Sequence, residues 1–284
     1  MTVALISSQE LSQRVAGGLA GWSIVDARTA GEFDAGHIPG AVSVAWEQWC
    51  EAPPAGSEPI LSQPGFWGLL ADPVANEFCR RLSRAGIGGG EPVVVYADGA
   101  RSKGREGRVA WMLLYLGASC VYLLDGGWSG WLAGGGEIEL CRQSSRPPAE
   151  FALSVQEHRR VRLPQLQELY RSNRMPLMID TRTDGEFRGH CYDYQPRKGR
   201  LPRSVLVPFS SLFLPGDRFI TRERYLEIIP PGLADEPYAV AYCEVGVRAA
   251  TFALLHEMYT GCPMPVFDGS IMEWAWHTAL PILV

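Results

Sequence analysis

The sequence predicts an α/β protein made of two tandem domains, each a parallel sheet flanked by helices on both faces. Three observations lead there. First, Ile24-Val-Asp26-Ala-Arg28-Thr-Ala-Gly31-Glu32-Phe33 returns about 150 residues later as Met178-Ile-Asp180-Thr-Arg182-Thr-Asp-Gly185-Glu186-Phe187. Second, two further echoes keep the same order. Val93-Val-Val-Tyr-Ala-Asp98 pairs with Tyr238-Ala-Val-Ala-Tyr-Cys243, and Asp125-Gly-Gly-Trp-Ser-Gly-Trp131 pairs with Asp268-Gly-Ser-Ile-Met-Glu-Trp274. Third, short runs that are apolar throughout alternate with stretches of i, i+3, i+4 spacing. Such runs are strands covered on both faces, with helices between them.

In the first copy, strands are expected at 23–25, 93–96 and 121–124, with helices at 74–85 and 107–116. In the second, a strand at 238–242 runs into a helix at 249–259. Between the copies, Cys141-Arg-Gln-Ser-Ser-Arg-Pro-Pro-Ala-Glu150 is polar and proline-rich, as a linker is. The expected domains are therefore 1–143 and 144–284. Each is long enough to bury a core of its own.

Composition narrows the function. The 284 residues are 46% hydrophobic and 20% charged, which excludes a disordered chain. The longest apolar stretch, 109–116, is far short of the ~20 residues that cross a bilayer. The start, Met1-Thr-Val-Ala-Leu-Ile-Ser-Ser, has no basic segment ahead of an apolar one, so no secretory signal is expected. A net charge of −5 gives no support to a nucleic-acid surface. The expectation is a soluble, cytoplasmic, monomeric protein with no membrane or nucleic-acid partner. Its seven cysteines are odd in number and widely spaced, giving neither a disulfide framework nor a zinc-type pair, and no metal is expected. Cys79 and Cys120 lie in apolar patterns and read as small packed hydrophobes.

Cys243 is set differently. In parallel sheets the reactive site forms beyond the carboxyl ends of strands, where a loop enters the next helix. There Cys243-Glu244-Val245-Gly246-Val247-Arg248 presents a cysteine to backbone N–H groups and to the positive end of a helix, both of which favour the nucleophilic thiolate. Gly246 lets the loop close tightly with its amides inward, and Arg248 adds a fixed positive charge. Glu244 opposes the thiolate unless it faces solvent, which is the expectation. The first copy has Asp98 in the cysteine's place, followed by the longer, more basic Gly99-Ala-Arg101-Ser-Lys103-Gly-Arg105. A carboxylate cannot hold a transferable sulfur, so one active site per chain is expected, bounded by both domains.

The first copy carries Asp26-Ala-Arg28-x-x-x-Glu32-Phe33-x-x-Gly36-His37-Ile38-Pro39-Gly40-Ala41, and the second a Cys-x-x-Gly-x-Arg loop and the Asp268-to-Trp274 ending. With these motifs the chain resembles the tandem-domain rhodanese family, the thiosulfate and 3-mercaptopyruvate sulfurtransferases, over nearly its whole length. The resemblance implies an inactive N-terminal rhodanese-like domain and a catalytic C-terminal one. It implies that the Cys243 thiolate takes the outer sulfur of an anionic donor such as thiosulfate and becomes a persulfide. The loop of Glu244, Val245, Gly246, Val247 and Arg248 would hold that sulfur as a partial anion. An acceptor (cyanide, a thiol or a thioredoxin-like protein) then removes it, and no cofactor is needed.

Two departures bear on the donor. Glu186 stands where family members often have a donor-binding arginine, so anion binding would fall to Arg182, Arg197 or Arg248. Arg197, Lys198, Arg200 and Arg203 make the stretch 197–203, from the end of the Cys191–Gly199 insertion onward, strongly basic, either as the rim of an anion site or as a solvated loop. The loop composition leans towards thiosulfate, with 3-mercaptopyruvate the alternative. Elsewhere His37 reads as a hydrogen-bonded corner, and Asp26 and Asp180 as braces for their loops with Arg28 and Arg182 as partners. Trp46, Trp49 and Trp67 are candidates to wall the cleft. Two rivals remain. Related phosphatases ring an anion with Cys and Arg, but with a longer loop than the four residues between Cys243 and Arg248, and a shorter ring fits one sulfur better than a phosphate. A persulfide carrier or sensor would keep Cys243 and show negligible turnover.

Overall fold

The structure is a computed structural model that describes residues 2–140, 146–191, 194–235 and 238–284. The chain divides into two compact units. The first comprises Met1–Trp49, Asp72–Gln156 and Phe213–Phe219, and the second Cys50–Ala71, Glu157–Leu212 and Ile220–Val284. A contiguous division at 143/144 differs from this, because 50–71 belongs with the C-terminal half and 146–156 and 213–219 with the N-terminal half. The 143/144 junction itself lies outside the described residues.

The first unit is built on β1 (Thr2–Ile6), β2 (Ser23–Asp26), β3 (Ala41–Ser43), β4 (Val93–Tyr96) and β5 (Cys120–Leu124), in the order β1-β5-β4-β2-β3. Every pairing is parallel. In chain order there follow β6 (Arg160–Val161), β7 (Leu177–Asp180), β8 (Ser204–Leu206), the short antiparallel pair β9 (Phe213–Leu214) and β10 (Arg218–Phe219), β11 (Ala239–Tyr242) and β12 (Val266–Phe267). The second unit's sheet has the order β6-β12-β11-β7-β8, again parallel throughout and matching the first strand for strand. The central strands β4 and β11 are buried at every position, which is why they read as unbroken apolar runs.

The echoes acquire physical causes. Thr29-Ala-Gly-Glu32 and Thr183-Asp-Gly-Glu186 are both capping boxes, each threonine accepting from the glutamate's N–H and each glutamate from the threonine's. Asp26 and Arg28 form a sealed pair, and so do Asp180 and Arg182. Each arginine also donates to a carbonyl, of Gly36 or Gly199, and each aspartate accepts from the hydroxyl of Tyr96 or Tyr242 at 2.6 Å. The same two hydroxyls accept from the N–H of Ile38 and of Leu201. Gly199-Arg200-Leu201-Pro202 is thus the second copy's version of Gly36-His37-Ile38-Pro39, hidden in the sequence by the insertion ahead of it. His37 is a buried corner, as expected, with Nδ1 on the Phe33 carbonyl and its ring stacked on Phe33.

The Asp-Gly echo anchors the exchanged segments. Asp125 accepts from the N–H of Phe219 within the first unit, and Asp268 from that of Leu70 within the second. One expected helix is shorter than its pattern. Residues 74–85 contain a helix only over Phe78–Arg84, because the Asp72 carboxylate captures the N–H groups of Val74 and Ala75 in a turn. Trp46 and Trp49 belong to the first unit's interior, Trp49 packing on Phe78. Among the described residues no helix is long and apolar enough to cross a membrane.

Candidate active site

β11 ends at Tyr242, and helix Val247–Thr260 begins five residues later. Gly246 caps that helix at φ +83°, in the left-handed region, where a side chain would be strained. This turn points the Gly246 N–H at Cys243 Sγ, 3.2 Å away. The loop's carbonyls are drawn the other way. Those of Cys243 and Glu244 accept from the N–H groups of Ile271 and Met272, at the start of helix Ser270–Trp276. The Cys243 N–H donates to Ser270 Oγ, whose hydroxyl donates to the Phe267 carbonyl. The sulfur therefore faces an N–H and the N-terminus of a 14-residue helix, with carbonyls held outward. It is also enclosed, with Cys243 only 1% exposed.

The charges around it are arranged differently from the expectation. Arg248 is held by Glu186 through two hydrogen bonds, Nη1 to Oε2 at 2.9 Å and Nη2 to Oε1 at 2.8 Å. Glu186 Oε2 also takes the Thr183 N–H and hydroxyl. Burial pushes this carboxyl up, but the Arg248 and Thr183 hydrogen bonds outweigh it and hold the pKa down at about 2. Glu244 does not face solvent. Its Oε2 is 3.7 Å from Arg248 Nη2, and its Oε1 accepts from Gln195 Nε2. The Tyr194 hydroxyl bonds to the same carboxylate, and burial together with that negative charge pushes the Tyr194 pKa up.

Two expected anion ligands are engaged elsewhere. Arg182 is fully buried against Asp180 and the Gly199 carbonyl, so its charge braces the end of β7. Arg197 donates to the carbonyls of Ala275, Leu280 and His277, capping the C-terminal end of helix Ser270–Trp276. Both are structural because each already has its counter-charge or its acceptors inside the unit. Arg200 lies over the Phe187 ring. In the first unit, Asp98 pairs with Arg101, and its loop extends to Gly104 before helix Arg105–Leu116 begins. Tyr192 and Asp193 of the insertion lie outside the described residues. Among the described residues no group of His, Cys, Asp and Glu is placed to hold a metal.

Sequence reasoning missed Ser270, Tyr194, Gln195 and Gly68. Only Ser270 carried a signal, sitting inside the third echo. Gly68 belongs to the 50–71 segment and lies against the Cys243 loop, where a Cβ would sit 2.1 Å from the Val245 carbonyl oxygen. That backbone cannot yield without moving the loop. Gly68→Ala is expected to lower kcat/KM by about a hundredfold, since ångström-scale displacement of a reacting group costs that much. Steady-state kinetics beside a melting curve check it, and full activity would show that the 66–70 segment, not the loop, gives way.

Comparison with known proteins gives the family. The rhodanese-like domain family matches residues 7–134. Thiosulfate sulfurtransferase of Corynebacterium glutamicum is 30% identical, over 98% of this chain and 89% of its own length. Human 3-mercaptopyruvate sulfurtransferase is 29% identical, over 86% of this chain and 78% of its own. Among solved structures, SseA from Escherichia coli, described as having the rhodanese fold, superposes with a TM-score of 0.78. That match covers 95% of this chain and 99% of SseA at 22% identity.

Proposed function

The chain belongs to the rhodanese family, and from that premise we propose that it is a sulfurtransferase that carries sulfane sulfur on Cys243. The observation that carries the reading is the Gly246 N–H donated to Cys243 Sγ, with the neighbouring carbonyls held away. A second sulfur attached to Sγ would lie near the Gly246 N–H and the N-terminus of the following helix, which stabilise its negative charge.

With thiosulfate, the Cys243 thiolate attacks the outer sulfur. A new S–S bond forms while the thiosulfate S–S bond breaks, its electron pair leaving on sulfite, and the enzyme keeps the negative charge on the persulfide sulfur. An acceptor thiolate, or cyanide, then attacks that outer sulfur, and the electron pair of the broken bond returns to Sγ. A small thiol or a thioredoxin-like protein fits the acceptor role. Thiosulfate is the donor suggested by the C. glutamicum relative. A second reading, 3-mercaptopyruvate, is favoured by the pairing of Arg248 with Glu186, which leaves less positive charge for a dianion. In that case the C–S bond breaks, its electron pair passes to carbon, and the carbanion takes up the donor's thiol proton to give pyruvate.

The test is mass spectrometry of the protein treated with either donor. A gain of about 32 Da, one sulfur, is expected on the peptide containing Cys243. The gain appearing on the exposed Cys191 or Cys262 instead would overturn the assignment.

A further inference from the structure

We propose that Glu244, held beside Cys243 by Tyr194, Gln195 and Arg248, is a specificity residue that makes the reaction favour sulfur donors with at most one negative charge. The inference rests on Cys243 being the sulfur carrier and concerns which donors reach it. Glu244 follows the nucleophile directly in the chain, and its carboxylate is fixed from three sides. Tyr194 and Arg248 are each within electrostatic reach of both Glu244 and Cys243, so the carboxylate's charge acts on what approaches the sulfur.

The charge count follows from the contacts. Arg248 is the guanidinium at the loop, and both of its Nη groups are already donated to Glu186. Glu244 is then a second carboxylate on one cation. Glu186 and Glu244 have only 14% and 13% of their side-chain surface exposed, so solvent and salt screen them weakly. Two carboxylates against one guanidinium leave an excess negative charge before the thiolate is counted. A donor bringing two more is opposed, one bringing a single charge less so, and one whose own ammonium balances its charge hardly at all. The loop N–H groups still receive the transferred sulfur in every case, so the effect falls on donor capture and not on the transfer itself.

Three donors that all break an S–S bond, with the electron pair leaving on a sulfur oxyanion, separate charge from mechanism. They are thiosulfate (two negative charges), ethanethiosulfonate (one) and 2-aminoethanethiosulfonate (net zero). The wild-type protein is expected to show kcat/KM falling about tenfold with each added negative charge. Glu244→Gln keeps the shape and removes the charge. It is expected to raise kcat/KM for thiosulfate about tenfold, mainly through KM, and to leave 2-aminoethanethiosulfonate within about twofold. A flat ranking in the wild type, or a Glu244→Gln effect equal for all three donors, overturns the proposal while leaving the Cys243 persulfide intact. If Cys243 gains sulfur from none of them, the transfer reading itself fails, and this inference fails with it.

Discussion

Cys243→Ser is expected to lower sulfur transfer at least about a thousandfold, to the uncatalysed background. A serine hydroxyl is protonated at neutral pH and is a poor attacker of divalent sulfur, so the covalent intermediate has nothing to form on. The fold should survive. Serine is no larger than cysteine, and its Oγ can accept the Gly246 N–H that Sγ now accepts. Its own O–H enters a site 1% exposed, where an unmatched donor costs about 1–2 kcal/mol. A small drop in melting temperature with complete loss of thiocyanate formation from thiosulfate and cyanide is the predicted pair of results. Cys191→Ser and Cys262→Ser, at exposed cysteines, should turn over normally. More than about a hundredth of wild-type activity in Cys243→Ser would move the chemistry to another residue.

The second large effect concerns stability. Asp180 and Arg182 are both buried completely, joined at 2.6 Å, with the Tyr242 hydroxyl on the same carboxylate. Burial alone lowers the pKa of Arg182, but the Asp180 hydrogen bond and charge outweigh it and raise the value, so the guanidinium stays charged. Asp180→Ala leaves that charge without its partner and the Tyr242 hydroxyl without its acceptor. Breaking a buried pair in this way costs roughly 3–5 kcal/mol, which lowers the melting temperature of a unit this size by on the order of 10 °C. Asp26→Ala should do the same to the first unit, where Arg28 and Tyr96 repeat the arrangement. Thermal unfolding followed by circular dichroism checks both, and a shift under about 2 °C in either variant would mean that water reaches the pair.

The strength of these networks explains why so much was legible. Asp26 and Arg28 are two residues apart, as are Asp180 and Arg182, and the capping boxes span three. Interactions that close within a turn of chain leave fixed spacings, and duplication displays each of them twice. The apolar runs of β4 and β11 are legible for a similar reason, since burial on both faces leaves no polar position. The position of Cys243 follows from the strand running into the helix. Arg197 reads as part of a basic stretch because its acceptors, the carbonyls of 275, 277 and 280, lie some 80 residues away. Glu186 reads as a lost donor ligand because Arg248, 62 residues on, is invisible to local pattern.

By itself the sequence determined the duplicated parallel α/β plan, the paired aspartate and arginine braces, and a cysteine placed where a central strand runs into a helix. All of these are set by neighbours a few residues apart. Tertiary structure alone decided that segments 50–71 and 213–219 each join the opposite unit's core, that Gly68 backs the Cys243 loop, and that Arg248 is shared by Glu186 and Glu244. Such pairings depend on which distant side chains the folded sheets bring within a few ångströms, and charge at that range acts through space without regard to order along the chain.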